Sequence, residues 1–300
     1  MPSDRRPNDQ RTNTYDPTEQ NTARTMPVVF LLDATGSMLH TVENGRTRMD
    51  VLNHVVEQFL CYIVKDVRAR NATEVAFVVF TNEILLKTEF FRIHALDKKA
   101  FETNHREYRG CVKVHEMHVK DKSNFTHSIQ IPRFAVSKHD NGTKIGAAVL
   151  LGLEMLTERR RQNAGFGSYV PFLILMTDGH PDGAYGDGYQ DERQEEAMDA
   201  LHSACTNFHL DQMVVPFIIG VGGDDINTQT LRGYSSGFDG GYLHIYDEIS
   251  DAATQIICDL ICKSLTKSFT PQKIMLQKDI QKAQEQIHKT RDQNRGLIEI

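Results

Sequence analysis

Apolar and polar positions fall in blocks along this chain, and the blocks carry two different periods. Residues 27–32 form a continuous apolar run that stops at Asp33, the pattern of a strand buried on both faces of a parallel sheet. From Met49 onward, Val51, Leu52, Val55, Val56, Phe59, Leu60, Ile63, Val64 and Val67 recur at helical spacing. They predict one long amphipathic helix packed on that sheet. Residues 74–81 read as a second buried strand, and 84–91 as a more polar third, antiparallel at an edge after the Thr81-Asn82-Glu83 turn. Gly142-Thr143 opens a helix through Ala147, Leu150, Leu151, Leu153 and Leu156 that ends in Arg159-Arg160-Arg161, charges that suit a helix C-terminus. A strand at 171–177, a helix at 192–208, strands at 213–221 and 242–246, and a helix at 250–265 complete the series.

Strands alternating with helices predict an α/β fold, a doubly wound and mostly parallel sheet flanked by helices. In such sheets ligands bind at the carboxyl ends of the strands. The loops that follow each apolar run are therefore the candidate site. Two stretches break the rhythm. Residues 92–140 carry six of the histidines and read as an insertion with one or two short strands of its own. Beyond Thr270-Pro271, Leu276, Ile280, Ala283 and Ile287 have helical spacing over too few heptads for a coiled coil, so residues 270–296 are expected to form a docking helix. The expected organisation is a tail at 1–25, one domain at 26–268 and this helical extension.

Composition narrows the function classes. The chain of 300 residues has a net charge of -6, which argues against nucleic acid as a partner. Its longest apolar runs, such as 170–176, fall well short of a membrane span. Five cysteines, odd in number and without a C-x-x-C pair, read as reduced thiols. Residues 1–25 are polar and lack the apolar core of a signal peptide. The expectation is a disordered tail on a cytoplasmic protein.

Three strand ends present oxygen ligands: Asp33-Ala34-Thr35-Gly36-Ser37-Met38, then Gly142-Thr143, then Thr177-Asp178-Gly179. Two carboxylates and three hydroxyls converging on one edge make an all-oxygen site for a hard divalent cation. Magnesium is the natural candidate, with manganese or calcium as substitutes. Such an ion would keep positive charge to spare and an open position, which a carboxylate from another protein could fill.

Asp33-x-Thr35-x-Ser37, Thr143 and Asp178 in a Thr-Asp-Gly strand end resemble the metal-ion-dependent adhesion site (MIDAS) of von Willebrand factor A (VWA) domains, over roughly residues 26–265. The Asp-x-Thr-Gly-Ser-Met form is most similar to the cytosolic TerY/YegL-like branch. The resemblance implies Ser37, Thr35 and Thr143 as direct ligands, and Asp33 and Asp178 acting mostly through water. It further implies a binding module and no enzyme, one that captures an Asp or Glu of a partner protein in a stress-response or a kinase-, phosphatase- or AAA+-associated system. Replacing Asp33 or Ser37 by alanine is then expected to abolish magnesium binding and leave the fold intact. Thr35 stands where serine is commonest, which keeps the hydroxyl. The insertion departs from the family pattern and is expected near the metal edge.

The alternative is a haloacid-dehalogenase-like phosphatase or phosphotransferase with Asp33 as nucleophile, since Asp33-Ala34-Thr35-Gly36-Ser37 resembles the phosphorylated strand end of P-type ATPases. Against it, Asp33 has no second carboxylate two residues on, and Thr143 has no role in that scheme. Cys111-x3-His115-x2-His118 invites a zinc reading, yet strand alternation across it would put the two histidines on opposite faces. The acidic loop 182–191 reads as a partner contact rather than a second metal site. No phosphate-binding Gly-x4-Gly-Lys motif, Gly-x-Ser-x-Gly elbow or His-Glu-x-x-His helix occurs.

Overall fold

A computed structural model describes residues 25–42, 45–106, 108–138, 142–163, 169–179, 193–206, 213–222, 226–236 and 242–245. The tail, the loop 182–191, the 250–265 helix and the 270–296 extension lie outside these residues.

The apolar run ending at Asp33 is strand β1 (Met26–Asp33), buried along its whole length. It pairs in parallel with β2 (Thr73–Phe80) on one side, equally buried, and with β7 (Phe172–Thr177) on the other. Next come β8 (Val215–Val221) and β9 (Tyr242–Ile245), both parallel. Two short strands, β3 (Ile84–Lys87) and β4 (Phe91–Arg92), add antiparallel to β2. The order β3-β2-β1-β7-β8-β9 gives the mostly parallel sheet read from the sequence. The chain leaves β1 toward β2 and later returns to β1's other side as β7. That reversal opens a crevice beyond the carboxyl ends of β1 and β7, where ligands of open α/β sheets bind.

Helix α1 (Arg48–Lys65) starts with a capping box, Thr47 and Asp50 exchanging hydrogen bonds, and buries the predicted apolar stripe against the sheet. It ends two residues before Val67. Asp66 accepts from the backbone N–H groups of Arg68 and Ala69 and starts a separate short helix, α2 (Val67–Ala72). Val67 is 48% exposed and does not belong to the stripe. In α3 (Ile145–Gln162) the buried face is Ile145, Gly146, Ala148, Val149, Gly152, Met155 and Leu156. Of the expected leucines only Leu156 is fully buried; Leu150, Leu151 and Leu153 are partly exposed. The reason is close approach: a Cβ at Gly152 would stand 3.1 Å from Leu31 Cδ2 and 3.2 Å from Leu173 Cδ1. Small residues bring this helix against β1 and β7. Helices α4 (Gln194–Thr206) and α5 (Thr228–Ser235) complete the described helices.

The insertion contributes strands β5 (Lys113–Lys120) and β6 (Thr126–Arg133), paired antiparallel with each other. Its register sets His115 opposite Ile131 and His118 opposite Ser128. Among the described residues no group of three or more His, Cys, Asp or Glu side chains could hold a metal ion. The insertion is part of the core. Phe101 and Phe134 lie 5.7 and 5.4 Å from Phe77, which stacks on Phe30 of β1 at 5.3 Å. Asn53 of α1 fastens the strand that returns from the hairpin, donating to Phe134 O at 2.9 Å and accepting from Phe134 N at 2.7 Å. None of the described helices is long and apolar enough to cross a membrane.

Candidate functional site

The loop after β1 is pinned by backbone contacts on both sides. Ala34 N donates to Phe80 O of β2 at 2.9 Å, and Ser137 N, at the end of the insertion, donates to Ala34 O at 2.8 Å. The insertion therefore reaches this sheet edge through its return segment, while its hairpin packs on α1.

Asp33 is fully buried at the end of β1. Its Oδ1 accepts from Thr35 N at 2.9 Å and Thr35 Oγ1 at 2.6 Å, and its Oδ2 accepts from Thr177 Oγ1 at 2.5 Å. Thr177 Oγ1 in turn accepts from Gly179 N at 3.1 Å. Thr35 Oγ1 and Ser37 Oγ are 3.0 Å apart. Because the Thr35 proton is directed to Asp33, Ser37 is the donor of that pair. A single turn of 3-10 helix, Gly36–Leu39, carries Ser37. Thr35 precedes this turn yet makes no cap with its side chain, because that hydroxyl is committed to Asp33.

Asp178 follows β7 and is fully buried. Arg48, the first residue of α1 and 2% exposed, donates from Nη1 to Asp178 Oδ2 at 2.7 Å. The Asp178 carbonyl accepts from Asn227 N at 3.0 Å, which ties the strand end to the start of α5. Thr143 is 2% exposed and lies two residues before α3. Its neighbour Lys144 donates its N–H to Thr81 O, just past β2, at 2.8 Å. The five expected residues thus come from three loops at one sheet edge. Asp33, Thr35 and Ser37 form one hydrogen-bonded run. Asp178 joins them through its charge, and Thr143 approaches from the β2 side.

Burial, with the Asp178 carboxylate nearby, pushes the Asp33 carboxyl up to about 7, against the hydrogen bonds from Thr177 and Thr35 that lower it. A buried carboxyl pair of this kind is relieved by a cation. The donor set fits a hard one: every candidate ligand atom is oxygen. Magnesium ligands at 2.0–2.1 Å in an octahedron stand about 3 Å from their neighbours, the separation of Thr35 Oγ1 and Ser37 Oγ.

The roles of two participants are not legible in the sequence pattern. Thr177 stands in the Thr177-Asp178-Gly179 strand end without a role of its own there, and Arg48 lies just before the helix that the apolar spacing predicts from Met49. A polar side chain at the end of an apolar run, or a cation directly before an apolar helix, is the signal that could have marked them.

No family model matches the sequence, and no curated protein matches it. Among solved structures, the pilus adhesin SpaC of Lactobacillus rhamnosus GG is similar with a TM-score of 0.50 at 15% identity, over 81% of this chain and 31% of that one. The PilB minor pilin of Streptococcus sanguinis has a TM-score of 0.48 at 14% identity, over 81% of this chain and 62% of that one. The manganese-loaded TRAP protein of Plasmodium vivax has a TM-score of 0.39 at 15% identity, over 76% and 71%. This chain thus spans less than two thirds of either pilus protein's length. The likeness to SpaC is one of fold alone, an α/β domain with a mostly parallel sheet flanked by helices.

Proposed function

We propose that this chain is a magnesium-dependent protein-binding module with a metal-ion-dependent adhesion site. Ser37, Thr35 and Thr143 offer hydroxyl oxygens directly to the ion, and Asp33 and Asp178 act from behind them, mostly through water. The observation that carries the reading is the hydrogen-bonded run from Ser37 through Thr35 to Asp33, set at the crevice between β1 and β7. It directs protons inward and keeps the Ser37 lone pairs available at the edge. A bound divalent cation would supply an electrophilic centre for a carboxylate of a partner protein. The flanking Leu39, 59% exposed, gives that partner an apolar contact beside the ion.

The phosphotransferase alternative draws less support. A nucleophilic carboxylate presents an oxygen to its substrate, whereas both oxygens of Asp33 accept hydrogen bonds inside the protein. No enzymatic role is proposed. The proposal keeps the cytoplasmic, TerY-like setting, in a stress-response or a kinase-, phosphatase- or AAA+-associated system. It is supported by the sequence motif and by the five cysteines, odd in number and without a C-x-x-C pair.

Ser37→Ala and Thr143→Ala test the site, with calorimetric titration of Mg2+ into the full chain. Both variants are expected to lose magnesium binding while melting like the wild type. Unchanged binding in either would remove that residue from the site. Recovery of a partner with and without EDTA tests the capture step, and equal recovery would separate the binding surface from the metal.

A further inference from the structure

Arg48 stands apart from the expected ligand set and yet is built into it. Its guanidinium is 2% exposed and bonded to a carboxylate that is fully buried. It has no room to leave. A Cβ at Gly222 would lie 2.7 Å from Arg48 Nε and 3.1 Å from Cζ, so the chain after β8 is seated directly against the guanidinium. At its other end the Arg48 backbone N–H donates to His40 O at 3.0 Å, on the far arm of the loop that follows Ser37. A fixed positive charge therefore lies within the site, held by α1, β7 and the loop after β8.

The charge count gives this residue a function. Two ionised carboxylates, Asp33 and Asp178, sum to -2, and a divalent cation between them would be neutralised. With Arg48 included the protein's own contribution is -1, and the loaded site keeps a net charge of +1. Unlike charges in a water-excluded site interact strongly, and like charges repel as strongly. We infer that Arg48 is a charge-setting positioning residue: it weakens the hold of the site on its own cation and in exchange leaves the loaded site positive, so that an anionic partner group is captured. This deepens the proposed metal-dependent reading and rests on it. The consequence is a pair of effects of opposite sign. Removing the charge tightens metal binding and weakens carboxylate binding. A residue that merely supported the fold would weaken both.

The test uses the full chain at pH 8 with Mn2+ alone as the probe of the site, followed by electron paramagnetic resonance. Acetate is then titrated into the manganese-loaded protein, and its binding is read from water relaxation at the ion. Arg48→Gln is expected to bind Mn2+ about tenfold more tightly than the wild type, the effect of about 1.4 kcal/mol, and to bind acetate several-fold more weakly. Arg48→Lys, which keeps the charge, is expected to follow the wild type in both. A cooperatively folded Arg48→Gln whose Mn2+ affinity is equal to or below that of the wild type overturns the inference while leaving the metal site standing. Absence of Mn2+ binding by the wild type overturns both. If Arg48→Gln does not fold, Arg48→Lys decides: wild-type affinities for both probes support the charge role, and a tenfold change in Mn2+ affinity at constant charge refutes it.

Discussion

Thr177 donates its hydroxyl to Asp33 Oδ2 at 2.5 Å, and this bond joins the ends of two neighbouring parallel strands at the point where the sheet reverses its order. Both residues are fully buried. The bond gives the Asp33 carboxylate a partner on its β7 side, as Thr35 does within its own loop.

Removing the Thr177 hydroxyl leaves a buried carboxylate oxygen and the Gly179 N–H without that partner. Thr177→Val is therefore expected to cost about 1–3 kcal/mol, read from urea unfolding. Thr177→Ser keeps the donor and is expected to stay closer to the wild type.

The same network revises what the sequence suggested for Asp33. As a bare ligand, Asp33 could be replaced by alanine without harm to the fold. In the structure it is the acceptor for Thr35 N, Thr35 Oγ1 and Thr177 Oγ1. Asp33→Ala is expected to lose stability, about 1–3 kcal/mol for stranding those donors. Ser37→Ala, at a partly exposed position, is expected to stay within about 0.5 kcal/mol. Parallel melts of the two variants check the contrast, which disappears if both fall equally.

Gly179 follows Asp178 with φ +77, and a Cβ there would meet Leu231 Cγ at 2.7 Å and Asn227 O at 2.8 Å. One of those contacts is backbone and cannot swing aside. Gly179→Ala is expected to destabilise by about 2 kcal/mol or more, combining left-handed strain with overpacking. It should also raise hydrogen exchange in α5, whose start is bonded to Asp178 O. Unchanged exchange in α5 would show that the helix does not depend on this turn.

Asp121 provides the pH dependence. His127 foremost, with the N–H groups of Ser123 and Phe125 and the Arg70 guanidinium, holds its carboxyl down at about 2. An ordinary aspartate titrates near 3.9. Because the folded value is the lower one, the stabilisation is present above about pH 4 and is lost as pH falls toward about 2. The stability advantage of the wild type over Asp121→Asn should shrink as pH falls below about 4 in acid-unfolding curves. An advantage that persists unchanged to pH 2 would contradict the ionic role of Asp121 in closing the β5–β6 turn.

Asn53→Ala tests how the insertion is attached. The substitution removes both side-chain bonds to the Phe134 backbone. Exchange of the amides near Phe134 should quicken, while β1 and β7 keep their protection. Equal loosening of β1 would mean that the insertion and the central sheet open as one unit.

The chain's local pattern was sufficient for the central strands and for the loops that bear Asp33, Thr35, Ser37 and Asp178. A continuous apolar run can only be a strand or helix buried on all sides, and the polar residue that ends it marks the edge of the sheet. The same pattern misplaced Val67, because Asp66 caps a new helix where apolar spacing continued. It overlooked α5, whose eight residues bury only Thr230, Leu231 and Tyr234. Tertiary structure alone decided which charges and hydroxyls meet. Thr177 reaches Asp33 across 144 residues, and Arg48 reaches Asp178 across 130. Both contacts depend on β7 pairing with β1 on the side opposite β2. Strand order is set by how the whole sheet buries its faces, and no local period of 2 or 3.6 residues records it.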